Sequence, residues 1–156
     1  MELHENYEEA LEYLKKALAY GGPMARYHRM YGDVLWSQSQ FRKATLEYEK
    51  AVQEDRSVHN LTAWANSLMK TDYQRAESVW RELLRVDPDN ARAYFGLSCI
   101  AIDQDNWNIA LETANKANEL KPNDPEILYG ISYIYNKINK PEWAAKYYNE
   151  AVKNGY

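Results

Sequence analysis

The chain has 156 residues and a formal charge of −4, with 19 Lys and Arg interspersed among 23 Asp and Glu, so no basic block is offered to a nucleic-acid backbone or an anionic membrane. Cys99 is the sole cysteine, which excludes an intrachain disulfide framework and a Cys-rich zinc site and suits a reducing compartment. A composition 46% hydrophobic and 27% charged, with 6 Gly and 5 Pro, is that of an ordinary folded chain and leaves no room for long disorder.

The opening residues carry Glu2, Glu5, Glu8 and Glu9 where an export signal would have positive charge and then an apolar run, and a cytoplasmic location is expected. The longest apolar stretch, residues 127–135, is far shorter than the roughly 20 residues of a membrane-spanning helix. No membrane insertion is expected. The 14 Tyr and 5 Trp, against 2 Phe, supply large side chains with a polar handle, able to sit half in water.

In chain order, the first helix is predicted over residues 2–20, with Tyr7, Ala10, Leu14 and Ala17 on one face, and Gly21 and Gly22 stop it. Pro23 suits the start of a second helix, 24–37, carrying Tyr31, Gly32 and Leu35. The third, 40–54, repeats the first face with Phe41, Ala44, Tyr48 and Ala51. The fourth, 58–70, repeats the second with Trp64, Ala65 and Leu68. The fifth, 72–86, has Tyr73, Ala76, Trp80 and Leu83. Pro88 ends it, and Asp89 or Asn90 caps the sixth, 91–103, with Leu97, Ser98 and Ala101. The seventh, 107–120, has Trp107, Ala110, Ala114 and Ala117. Pro122 cannot continue it; Asp124 caps the eighth, 125–138, and Pro125 and Glu126 fit its first turn. This helix bears Ile131, Ser132 and Tyr135, and after Asn139 or Lys140 as cap the ninth, 141–154, bears Ala144, Tyr148 and Ala151.

The alanines Ala10, Ala44, Ala76, Ala110 and Ala144 fall at spacings of 34, 32, 34 and 34. Large and small residues around them share one helical face. On the alternate helices Gly32, Ala65, Ser98 and Ser132 are the complementary small points, where two backbones approach closely. Each unit is an αα-hairpin that cannot bury its own apolar face, so successive units must stack.

The 34-residue unit, its small–large–small faces, the Asp-Tyr or Asn-Trp turn before the marked alanine and the closing Asp-Pro or Lys-Pro resemble the tetratricopeptide repeat. The likeness covers a half repeat at 1–22 and repeats at 23–57, 58–90, 91–124 and 125–156, within one domain. It departs from the pattern at the shortened unit from residue 58, at Arg56 in place of the closing proline and at His28 in a usually bulky apolar place. The resemblance implies an all-α fold, a right-handed αα superhelix of about nine antiparallel helices. It also implies a non-enzymatic scaffold binding an extended peptide or partner helix in a concave groove lined by the first helix of each repeat. Carried over position by position, that groove is Arg29, Asp33, Trp36, Thr62, Asn66, Arg92, Phe95, Cys99, Tyr129, Tyr133 and Asn136. A Lys and Asn clamp for a C-terminal carboxylate, known in part of the family, is incomplete: Asp33 stands where Asn would be, and Gly96 replaces a basic residue.

Self-assembly is the alternative, since the Tyr7, Ala10 and Leu14 face of the first helix has no preceding partner helix and the last helix, with Trp143, Tyr147 and Tyr148, no polar capping helix after it; on that alternative a homo-oligomer through the ends is expected. His4, His28 and His59 are scattered, and there is no phosphate loop and no nucleophile beside a matched base, so no catalytic residue, metal ligand or cofactor is expected.

Overall fold

The structure is a computed structural model that describes residues 2–21 and 24–156, without the side chains of residues 2–8 and 18. Gly22 and Pro23, read as the first stop and start signals, and the Tyr7 side chain lie outside the described residues. Among the described residues there are nine helices and no strand: α1 (Glu2–Ala19), α2 (Met24–Ser37), α3 (Phe41–Glu54), α4 (Val58–Thr71), α5 (Tyr73–Val86), α6 (Ala91–Asp103), α7 (Trp107–Leu120), α8 (Pro125–Lys137) and α9 (Pro141–Lys153). The order and bounds follow the sequence periodicity to within a residue or so.

The residues divide into two compact units, Met1–Val79 and Trp80–Tyr156, with α5 carrying the division. In the first, α1 packs on α2, α2 on α3, α3 on α4, and α2 also touches α4. The second repeats this: α6 packs on α7, α7 on α8, α8 on α9, and α6 touches α8. Within each unit these helices meet their chain neighbours, and the first helix of one hairpin also meets the first helix of the next, α2 with α4 and α6 with α8.

Local chemistry sets the turns. Ser39, Asp105 and Asn139 adopt φ of 60°, 54° and 57°, and the following N–H reaches back five residues: Gln40 N to Leu35 O at 2.9 Å, Asn106 N to Ala101 O at 2.8 Å and Lys140 N to Tyr135 O at 2.9 Å. This left-handed closure satisfies carbonyls that the helix end leaves open. The α4–α5 turn lacks it: Asp72 alone joins the helices, and its carboxylate accepts the Arg75 N–H at 3.1 Å. That shorter turn explains the 32-residue spacing. Asn90 caps α6 through Ala93 N at 3.0 Å, and Asp124 caps α8 through Glu126 N and Ile127 N at 3.0 and 3.2 Å, as the sequence predicts. Before α9 Lys140, one of the two expected residues, holds the cap position without a side-chain bond, while Asn139 closes α8. Where Arg56 replaces a proline, the Asn60 amide clasps Asp55, donating to its backbone O at 2.9 Å and its Oδ2 at 3.0 Å.

Four of the five marked alanines are core, and Ala10 is half-buried. Ala44, Ala76 and Ala110 are fully buried, as are Ala51, Leu83, Ala117 and Ala151 seven residues on, and Ala144 is buried too. Gly32, Ala65, Ser98 and Ser132 are buried as the complementary small points. Two aromatics on the same register depart from this: Tyr73 and Tyr148 are exposed. Tyr148 lies on α9, which among the described helices packs on α8 alone.

Candidate functional site

In the first unit the sequence-predicted groove residues are tied to one another and to their own helices. The Arg29 guanidinium pairs with Asp33 at 3.3 Å, and Asp33 also accepts the Tyr48 hydroxyl at 2.8 Å. Burial, and then this bond to a carboxylate, push the Tyr48 phenol well above its ordinary pKa. Trp36 meets Phe41 edge to face at 4.7 Å, and the Lys70 ammonium sits 4.8 Å from the Phe41 centroid and 6.0 Å from that of Trp36. Thr62 donates its hydroxyl to Val58 O at 2.7 Å, and Asn66 is half-buried. Beneath them, His28 Nδ1 lies 2.7 Å from Glu47 Oε2, both side chains buried, and Lys50 pairs with the other Glu47 oxygen at 2.7 Å. His28 is therefore a polar core residue in an apolar residue's place.

In the second unit Arg92 on α6 pairs with Glu126 on α8 at 2.9 Å and lies 6.0 Å from the Phe95 centroid. Phe95, expected on the groove wall, is only 7% exposed: its ring is committed to the core against Gly130, where an added Cβ would stand 2.7 Å from it. Cys99 is half-buried against the same core, and burial raises its thiol pKa, opposed by the Arg92 charge.

Tyr129, Tyr133 and Asn136 are brought together. They are exposed and line a cavity of about 310 Å³ with Ser132, Ala144, Ala145 and Tyr148. The spacing of Tyr129, Tyr133 and Asn136 along α8 puts them on one face. The Lys137 ammonium lies 5.3 Å from the Tyr133 ring centroid. The Tyr156 ring stacks on Tyr129 at 4.1 Å with 9° between planes. Neither Tyr148 nor Tyr156 is expected here from the sequence: the register puts Tyr148 on the repeated apolar face of the last helix and not among the groove positions, and Tyr156 has no periodic signal. On the other side of α9, Tyr135 stacks on Trp143 at 5.8 Å and on Tyr147 at 5.5 Å. Among the described residues no group of three or more His, Cys, Asp or Glu is arranged to hold a metal ion, and no helix is long and apolar enough to cross a membrane.

Stacked αα-hairpins with a close small-residue contact in each, and an exposed first-helix face, define a helical-repeat protein of the all-α class. Tetratricopeptide repeat models match residues 4–58, 67–131 and 125–154, and the chain belongs to that family, whose members are protein-interaction scaffolds. Cellulose synthase operon protein C of Pseudomonas fluorescens (strain SBW25) is 32% identical over 79 residues, 51% of this chain; the match spans 6% of that protein's length. PilF of Pseudomonas aeruginosa has the same fold, with a TM-score of 0.84 and 23% identity over 99% of this chain and 71% of that one. YrrB, described as a TPR protein with an unusual peptide-binding site, gives 0.74 at 17% identity, covering 99% of this chain and 80% of its own. At these identities the solved structures show the fold alone.

Proposed function

We propose that this chain is a non-enzymatic scaffold that holds a protein ligand, an extended peptide or a partner helix, on the first-helix faces of its repeats. The observation that carries this reading is the exposed set Tyr129, Tyr133 and Asn136 around a cavity of about 310 Å³ on α8. Its walls combine aromatic area with hydroxyl and amide hydrogen bonding, the mixture that protein-binding patches favour. Phe95 is not part of this surface, because its ring is consumed by packing. The peptide-binding site named for YrrB supports the same class of ligand.

The test is capture of partners with the wild-type chain and with a Tyr129→Ala/Tyr133→Ala variant whose helicity and melting are unchanged. Loss of a specific partner from the variant supports the assignment. Full retention moves the binding surface elsewhere on the molecule.

A further inference from the structure

Each unit places an aromatic ring at the first residue of a hairpin's second helix, Phe41 on α3 and Trp107 on α7, three residues before the buried Ala44 and Ala110. In the first unit the chain itself covers the ring. Lys70, near the end of α4, holds its ammonium 4.8 Å from the Phe41 centroid and 6.0 Å from that of Trp36. The corresponding lysine of the second unit is Lys137, since each lies five residues after the small contact residue of its helix, Ala65 or Ser132. Its surroundings differ: Ile102 stands in place of Trp36 and Tyr133 in place of Asn66, and the Lys137 ammonium lies 5.3 Å from the Tyr133 centroid. The half-buried Trp107 ring instead lines a cavity of about 490 Å³ with Gln104, Asp105, Asn106, Asn108 and Ile138.

We propose that this cavity binds an alkylammonium group, the side chain of a lysine on a partner protein. The first unit shows that an ammonium suits the ring at this position, where the aromatic face attracts it. The local charge has the matching sign: residues 93–115 contain Asp103, Asp105 and Glu112 and no Lys or Arg. The Asp105 carboxylate forms no ion pair among the described residues. The Asn106 side-chain oxygen accepts the Ile109 N–H at 3.4 Å, which leaves the Gln104 and Asn108 amide oxygens as further acceptors for an ammonium's three N–H groups. Gln104 and Ile138 are the C-terminal caps of α6 and α8, and two carbonyl ends favour a cation against the single N-terminus of α7. Ile138 and the indole give apolar walls to a four-carbon stem, which a small amine would not use. The cavity belongs to α6, α7, their turn and the end of α8, and it shares no residue with the Tyr129, Tyr133 and Asn136 surface, so it does not depend on that reading.

The probe is the blocked peptide acetyl-Gly-Ser-Lys-Ser-Gly-amide, titrated into the isotope-labelled full chain while NMR follows the backbone amides of residues 104–108 and 138. Saturable movement of these signals is expected. Norleucine in place of the lysine keeps the stem, removes the charge and should abolish it. Asp105→Asn should weaken binding about threefold, and asparagine tolerates the φ of 54° at that position. Trp107→Leu should weaken it at least about fivefold. Trp107→Phe, which installs the ring found at Phe41, should retain it, and this variant guards against loss of fold as the cause.

The absence of saturable shifts, or equal binding of the norleucine peptide, overturns the site. Binding indifferent to both Asp105→Asn and Trp107→Leu overturns it as well, since the lysine then lies elsewhere. If choline or methylamine saturates the same signals and the peptide does not, the ligand is a small amine and the protein-borne lysine is excluded.

Discussion

The Ser98 hydroxyl donates to the Ala110 carbonyl at 2.8 Å across the α6–α7 hairpin, with both residues fully buried. The bond needs a small side chain on each helix, because either a longer residue at 98 or a Cβ branch at 110 would push the backbones apart. Ser132 and Ala144 repeat it in the next hairpin. Ala110→Leu should therefore destabilise the protein by roughly 1–3 kcal/mol through overpacking, and Ser98→Ala by about 1 kcal/mol through the lost bond. Urea denaturation of the two variants measures both, and an unchanged midpoint for Ala110→Leu would show that the helices do not meet there.

Gly96 lies within α6 with the indole of buried Trp80, at its Cε2 and Nε1, where a Cβ would be. Alanine is worth about 1 kcal/mol more than glycine in a helix interior, so propensity alone predicts stabilisation by Gly96→Ala. The indole is fully buried and has nowhere to move, and overpacking of roughly 1–3 kcal/mol should win. Gly96→Ala is expected to lower the melting temperature, and a Trp80→Leu background should remove most of the penalty in a double-mutant cycle.

His28 and Glu47 are buried together, 2.7 Å apart. Removing one partner leaves the other without its buried hydrogen bond, so His28→Leu or Glu47→Leu alone should cost about 1–3 kcal/mol. The double replacement should recover much of that, since a well-packed apolar pair can match a buried polar one. Equal and additive losses in the three variants, measured by denaturation, would contradict a direct coupling.

Asp124 caps α8 and pairs with Lys121 at 2.7 Å. Burial alone would raise its pKa, but the Lys121 ammonium and the Ile127 and Glu126 N–H groups outweigh it and hold the carboxyl below the usual range. A depressed folded pKa means a contribution that is present above the unfolded value, about 3.9, and lost as the pH falls through the folded one. Asp124→Asn keeps a capping oxygen and removes the charge. Its stability deficit should be visible at pH 6–7 and close only as the pH falls below about 3.9, through the folded value; a constant deficit would mean that the charge contributes nothing.

The Cys99 thiol is half-buried and its pKa is raised chiefly by burial. Little thiolate forms near neutral pH, and reaction with a disulfide reagent should be slow in the folded chain and fast after unfolding. Equal rates in the two states would place the sulfur in open solvent.

Helix positions, the stop and start residues and the small-residue contacts were all legible in the chain, because each is decided within a turn or two by a 3.6-residue period, a proline or a capping side chain. Ala76, Ala110 and Ser98 are where the period puts them, and Asn90 and Asp124 cap as their types suggest. Exposure was not legible to the same degree. Phe95 and Tyr129 occupy the same register 34 residues apart, yet one is covered by Gly130 and the other by Tyr156, since burial depends on which helix lies above and not on the residue's own spacing. The pairing of His28 with Glu47, and the gathering of Tyr129, Tyr133, Asn136 and Tyr148 about one cavity, likewise required the packed hairpins, because they join separate helices through space.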